Sequence, residues 1–279
     1  MLPPVARQFV AGESAATALE HTRRLNADGV NVILNLLGEH YHDRADAERD
    51  TDAYLQLLDD IAASPLDACI SVKPSQLGLD IDAEVFESNL REIVAAAGEH
   101  GAFVWCDMED HTTTNATLDA FETLAEEYPW TLGQCIQSNL RRTERDLQRL
   151  VDVPGKLRLV KGAYDEPESV AYQAKSTVDE RFEADIEYLF ANRDRGVAIG
   201  SHDPAMIEHA LDLQSTHDTD AEFQLLMGVR EDRQRELASD GHDVWQYAPY
   251  GDQWLSYFWR RVQERKENAL FAVRAVLSG

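Results

Sequence analysis

Eight short apolar runs, rich in β-branched residues, constrain what this chain can fold into more than any other feature. They fall at Val30–Leu37, Ala68–Gln76, Phe103–Glu109, Leu132–Gln137, Lys156–Ala163, Gly196–His202, Glu222–Gly228 and Asp243–Ala248. Longer stretches with helical periodicity lie between them, such as Asp46–Ala63, Ala83–Glu99, Asn115–Glu127, Val178–Ala191, Pro204–Gln214 and Arg230–Ala238. Many connections open with Asp, Ser, Thr or Asn, whose side chains cap helix N-termini. Strands that alternate with helices build a parallel sheet. Eight such units in 279 residues match a (β/α)8 barrel, which takes about 250 residues. A doubly wound open sheet is the alternative arrangement. Residues 1–279 read as one domain, with 1–28 as a lead-in helix and tail, and no linker or low-complexity tract interrupts them.

A barrel carries its functional groups at the C-terminal ends of its strands. The expected strand ends hold Ser71-Val72-Lys73, Asp107-Met108-Glu109, Gln137, Arg158 to Tyr164, Ser201-His202-Asp203, Glu222 to Leu226, and Tyr247. Lys73, Arg158 and Lys161 are informative because a cation in a buried strand must pair with an anion or leave the core. Asp107 and Glu109 share parity, so both side chains can face one site. Near the C-terminus, Pro249 and Gly251 signal a turn before a helical run in which Tyr257, Arg260, Arg261 and Glu264 share a face. Two forked guanidinium groups there can grip one carboxylate or phosphate, or else form an ordinary solvated helix surface.

Charge narrows the classes of function. The chain has 51 acidic and 26 basic residues, a net −25, which argues against nucleic acid as a partner. Only five of the basic residues are lysine, and an acidic, lysine-poor surface is what a salt-adapted cytosolic protein shows. Cys69, Cys106 and Cys135 lie in apolar runs without CxxC spacing and read as buried free thiols. Neither a signal peptide nor an 18-residue apolar segment is evident, so a cytoplasmic location is expected.

The sequence resembles the proline dehydrogenase family in its short, monofunctional form. The resemblance rests on Phe9-Val10-Ala11-Gly12-Glu13, Leu36-Leu37-Gly38-Glu39, Ser71-Val72-Lys73, Arg158-Leu159-Val160-Lys161-Gly162-Ala163-Tyr164, Glu222-Phe223-Gln224, Met227-Gly228-Val229-Arg230 and the Tyr247 to Glu264 stretch. These segments run in order through nearly the whole chain. The resemblance implies a distorted (β/α)8 TIM-type barrel whose last helix lies over the barrel mouth. It also implies FAD as cofactor and oxidation of L-proline to Δ1-pyrroline-5-carboxylate, by hydride transfer from ring carbon 5 to flavin N5. A hydroxyproline dehydrogenase or another flavin-dependent barrel oxidoreductase is the alternative.

Residue roles follow from the same resemblance. Arg260 and Arg261 would clamp the proline carboxylate, with Lys73 as a third cation. Arg158 would lie beside flavin N5, or simply pair internally with Asp107 or Glu109. Asp107 is the matching acidic position, orienting cations and substrate. Met108, Gln137, Lys161, Gly162, Ala163, Ser201 and His202 match cofactor-binding positions, Ser201 standing where the family commonly has Thr. Tyr164, Leu226, Tyr247 and Tyr257 would wall the proline ring, and Tyr247 would favour proline over hydroxyproline. Family members pass electrons to membrane quinone, so the resemblance allows peripheral contact at the inner face of the cell membrane. It also implies a separate pyrroline-carboxylate dehydrogenase to take the product.

Other features read plainly. His40-Tyr41-His42-Asp43 suggests solvent-facing histidines rather than a metal site. Asn35 stands where the family often has Asp. Arg141, Arg142, Arg145 and Arg149 recur at helical spacing and read as a surface face pairing with the acidic exterior, or as cations near the flavin diphosphate. No G-x-G-x-x-G follows a strand, so a Rossmann nucleotide site is not supported.

Overall fold

The computed structural model describes residues 6–255 and Tyr257. A one-turn 3-10 helix, Ala6–Gln8, precedes α1 (Ala15–Ala27). Strands and helices then alternate: β1 (Asn31–Leu36), α2 (Arg44–Ala62), β2 (Ala68–Val72), α3 (Ala83–His100), β3 (Val104–Cys106), α4 (Thr114–Glu127), β4 (Leu132–Gln137), α5 (Thr143–Leu150), β5 (Lys156–Val160), α6 (Lys175–Asn192), β6 (Arg195–Gly200), α7 (Pro204–Thr216), β7 (Asp220–Leu226), α8 (Glu231–Ser239) and β8 (Asp243–Tyr250). Each strand pairs in parallel with the next, and β8 closes on β1 from Asn31–Trp245 to Leu36–Tyr250. The chain is therefore a closed eight-stranded barrel, and the open-sheet alternative falls.

Local chemistry sets the helix ends. Ser14 accepts a bond from Thr17 N in a reciprocal capping box, and Asp43, Asp82 and Asp203 each accept one at the start of α2, α3 and α7. α3 stops at Gly101, whose φ of 64° is the left-handed conformation that glycine adopts without a Cβ penalty. Alternation along the strands then divides the core in two. Val32, Leu34, Ile70, Val72, Leu157, Leu159, Val197, Ile199, Phe223 and Leu225 face the helices in one continuous apolar shell. Each such side chain, fully buried, stabilises the fold by about 1.5–3 kcal/mol.

The barrel interior is different. Ile33, Cys69, Trp105 and Ala198 form a small cluster there, with Phe103, Trp245 and Tyr247 against it. Trp105 fits because Gly133 faces it across β3–β4: a Cβ at 133 would lie 2.6 Å from the indole. The cysteines are all buried free thiols, as expected.

The expected runs overshoot the strands at β2, β3, β5, β6 and β7, so Lys73, Asp107, Lys161, Ser201 and His202 lie just past strand ends. Backbone bonds prolong the ladder there, from Asp107 N to Val72 O, Ser138 N to Val160 O and Asn139 N to Lys161 O, all 2.9 Å. Beyond them side chains hold the backbone instead. Conversely, β8 runs through Pro249, expected in a turn. Pro249 falls past the last β7 pairing, Leu226 with Tyr247, and its carbonyl takes Ala11 N–H at 2.8 Å. A proline at that point interrupts no β7 pairing. Among the described residues, no helix is long and apolar enough to cross a membrane.

Candidate active site

Asp107, one residue past β3, is the hub of the barrel mouth. Its Oδ1 accepts from Ser71 Oγ at 2.7 Å and from Arg158 Nη2; its Oδ2 accepts from Lys73 Nζ at 2.9 Å and Tyr247 Oη at 2.7 Å. Strands β2, β3, β5 and β8 thus converge on one carboxylate. Alternation explains the convergence, because Ser71 and Lys73, Trp105 and Asp107, and Lys156 and Arg158 are each two residues apart on inward-facing positions.

Asp107 and Arg158 are nearly inaccessible, at 7% and 4% exposure. Burial alone would raise the Asp107 pKa, but the Lys73 and Arg158 charges outweigh it and hold the carboxyl well below the usual range. Lys73 is the converse: burial works against its charge, yet Asp107 keeps its pKa well above the ordinary value. Both groups are therefore ionised at neutral pH. The Arg158 guanidinium lies 4.9 Å from the Trp105 ring centroid and 5.8 Å from that of Tyr247, which fixes its plane. Its pairing with Asp107 realises the internal ion pair considered above.

A second carboxylate supports the rim. Glu109 accepts from Ser75 N at 2.6 Å and Ser75 Oγ at 2.7 Å, while Gln137 Nε2 donates to its main-chain oxygen at 2.7 Å. Burial raises the Glu109 pKa despite Lys73 nearby. Burial likewise raises the Tyr164 and Tyr247 hydroxyls, and both tyrosines feel Lys73 and Asp107. His202 Nε2 accepts from Leu226 N at 2.8 Å, which links the β6 and β7 ends and places the imidazole proton on Nδ1. Asn35 Nδ2 donates to Ser71 O at 2.9 Å, tying β1 to β2 beside the hub.

Not every anticipated residue joins this cluster. Lys161 pairs with Asp179 at 2.5 Å and with Asp203 at 2.7 Å, on the α6–α7 flank. Met108 is buried in the apolar shell between barrel and helices. Tyr257 is buried in a separate apolar cluster with Ala6, Phe9, Val10 and Leu37. Ser201 is buried and its hydroxyl accepts from Asp203 N at 3.2 Å, while Ala163 is exposed. Arg260 and Arg261 lie outside the described residues. Arg142 and Arg149 pair with Asp146 and with Asp119 and Glu122, and Arg141 lies over Tyr172 at 4.5 Å. His40 pairs with Asp80, Tyr41 Oη donates to Asp50, and Asp43 caps α2. Ser71, Glu222 and Gln224 lie in segments that carry the resemblance, but the sequence assigns them no site role. Their signal was parity, since each lies an even number of residues from a matched position.

Gly162 has φ 111°, and a Cβ there would collide at 2.3 Å with the Asn139 carboxamide. Next to it, the buried Asn139 Oδ1 has no hydrogen-bond partner. The β4 and β5 ends therefore pack closely, with the Asn139 carboxamide seated against Gly162 and its oxygen unused. This unused acceptor and the donor-rich rim fit a polar cofactor such as a flavin nucleotide.

A closed parallel barrel with a buried ion cluster at the C-terminal mouth is the architecture of a (β/α)8 enzyme. The family model described as proline dehydrogenase matches residues 18–274. The chain belongs to the proline dehydrogenase family. It is 37% identical over 283 residues to the proline dehydrogenase of Deinococcus radiodurans, covering 99% of this chain and 91% of that protein. It is 34% identical over 275 residues to proline dehydrogenase 1 of Bacillus subtilis strain 168, covering 98% of this chain and 90% of that one. Among solved structures, it superposes on proline utilization A (PutA) from Bdellovibrio bacteriovorus inactivated by N-propargylglycine. There the TM-score is 0.84 and the identity 23%, covering 92% of this chain and 32% of the PutA chain. That likeness concerns the fold.

Proposed function

We propose that this chain oxidises L-proline to Δ1-pyrroline-5-carboxylate at the barrel mouth, with FAD as the bound oxidant and quinone as the eventual electron acceptor. Family membership supports the reaction class, and the observation that carries the site is the Asp107 hub, which holds Lys73, Arg158 and Tyr247 together. FAD supplies a two-electron acceptor for the hydride leaving ring carbon 5. The residues that would hold it are Arg158, Gln137, Met108, Gly162, Ala163, Ser201, His202 and Lys161. The unpartnered Asn139 Oδ1 beside Gly162 supports the β4–β5 end; the other positions rest on the resemblance.

The chain's own groups do three things. Lys73, already cationic, offers charge to the substrate carboxylate, joined in this reading by Arg260 and Arg261. Tyr164, Leu226 and Tyr247 supply apolar surface for the ring; Tyr257, packed against Phe9 and Leu37, joins them on the resemblance alone. Asp107 fixes the cations and the Tyr247 hydroxyl; because its pKa is depressed, it orients rather than accepts a proton. Arg158 places a fixed positive charge where negative charge develops on reduction. The Tyr247 hydroxyl, anchored on Asp107 at 2.7 Å, cannot swing aside for a ring hydroxyl, so L-proline is favoured over trans-4-hydroxy-L-proline. A pyrroline-carboxylate dehydrogenase takes the product, and peripheral contact with the inner membrane face delivers electrons to quinone.

Anaerobic addition of L-proline to the purified yellow protein, at low and at molar salt, tests this reading. Bleaching of the flavin by L-proline, well ahead of trans-4-hydroxy-L-proline, is expected. A protein that cannot be reconstituted with FAD, or that is bleached only by another reductant, would contradict it.

A further inference from the structure

The Asp107 hub is one end of a longer chain of buried polar groups through the barrel. Starting near the floor, Lys156 Nζ pairs with Glu222 Oε2 at 2.5 Å. Glu222 Oε1 accepts from Gln224 Nε2 at 2.5 Å, and Gln224 Oε1 accepts from Arg158 Nη1 at 3.1 Å. Arg158 Nη2 then donates to Asp107. Glu222, Gln224 and Arg158 are each 4% exposed, so water does not substitute for any of these partners. Lys156 lies 4.9 Å from the Phe103 ring and 6.0 Å from that of Trp245, with Glu222 as its ion-pair partner and Asp243 as a further nearby carboxylate.

The order of donors matters. A carboxamide presents an acceptor on one side and a donor on the other, and its neighbours decide which way it points. Burial raises the Glu222 pKa, but the Lys156 ammonium against it favours the carboxylate, which accepts only, so the Gln224 NH2 must turn toward it. That leaves the Gln224 carbonyl oxygen facing the guanidinium. Turned the other way, two donors would oppose each other in a site without water. Arg158 is thus gripped by Gln224 through one terminal nitrogen and by Asp107 through the other.

We propose that Glu222 and Gln224 are positioning residues for Arg158: Glu222 locks the Gln224 carboxamide, and Gln224 sets the guanidinium against the reaction site. The proposal rests on the role of Arg158 in the functional reading above. Neither residue touches substrate in this account, so their loss affects turnover rather than proline binding. Lys156 neutralises Glu222 and completes the chain.

A double-mutant cycle in the FAD-loaded enzyme tests this, with kcat, proline KM, flavin midpoint potential and thermal midpoint measured for Glu222→Gln, Gln224→Met and the pair. Each single change is expected to lower kcat about tenfold with KM within about twofold, and to shift the flavin potential in the same direction. The double variant should be no worse than Gln224→Met alone, because Glu222 acts through Gln224. Losses that multiply to about a hundredfold, a KM rise that matches the kcat loss, or a folded Gln224→Met enzyme with unchanged kcat and potential would overturn the proposal. If Glu222→Gln does not fold because Lys156 is stranded, Lys156→Met with Glu222→Met replaces the pair by apolar groups and should fold with the same loss. A wild-type protein that binds FAD but does not oxidise proline would overturn the functional reading instead, and the potential measurements would still decide this one.

Discussion

Asp107 and Asp185 are buried to nearly the same degree, at 7% and 6% exposure, yet the protein treats them in opposite ways. Asp107 stands at the barrel mouth with Ser71, Lys73, Arg158 and Tyr247 as donors, and its pKa falls well below the usual range. Asp185 sits on α6 in the shell outside the barrel, and its Oδ2 has no hydrogen-bond partner. Burial pushes that carboxyl up to about 6, with only Ser138 and Arg181 pulling the other way. Depth does not decide whether a charge survives; partners do. The barrel mouth is built to keep charges, whereas the shell gives Asp185 only weak compensation.

The largest expected effect comes from breaking the mouth. Asp107→Asn removes the negative charge between two buried cations, a loss of about 3–5 kcal/mol. Activity with proline should fall by roughly a thousandfold or more, and the thermal midpoint should drop, as scanning calorimetry will show. Its ordinary pKa being 3.8, this stabilisation is present above about pH 4 and is lost as pH falls toward the depressed folded-state value.

Asp185→Asn should do the reverse. Its folded-state pKa is above the ordinary 3.8, so its contribution is full below that value and is lost as pH rises through about 6. Replacing it by the neutral amide should therefore stabilise the protein at pH 8, by at most about 3 kcal/mol, with little change at pH 4. Urea titrations at the two pH values measure this. Equal effects at both would erase the contrast.

Tyr247→Phe sharpens the comparison, since it removes one donor of the Asp107 set and leaves the charges. A loss of about 1.5–3 kcal/mol is expected, or roughly ten- to a hundredfold in kcat/KM for proline. Turnover of trans-4-hydroxy-L-proline should suffer less, which parallel steady-state assays will reveal. Smallest per charge is the surface effect. With a net −25, the thermal midpoint should rise between low and molar KCl, whereas the Asp107 pKa should hardly move, because buried pairs are screened far less.

The barrel was legible because its signals are local. Each apolar run is buried against helices on one side, and each cap or turn residue acts within a few positions. The site was partly legible: Lys73 and Asp107 stand just past strand ends, and Arg158 and Tyr247 lie inside β5 and β8 and reach the same carboxylate. What escaped was direction past those ends. Lys161 follows Arg158 by three residues, an odd step that turns it to the α6–α7 flank with Asp179 and Asp203. Gln224 and Glu222 escaped because their roles depend on partners in β5, distant in sequence and adjacent only in the closed barrel. Tyr257, anticipated at the ring wall, is buried against Leu37 and the segment around Phe9.

Rapid-mixing reduction of the FAD-loaded wild type and Asp107→Asn by L-proline, without oxygen, addresses the central claim most directly. Asp107→Asn should retain FAD and its flavin should be reduced roughly a thousandfold more slowly than in the wild type. Reduction at the wild-type rate in Asp107→Asn would mean that the Asp107 hub is not where this chain does its chemistry.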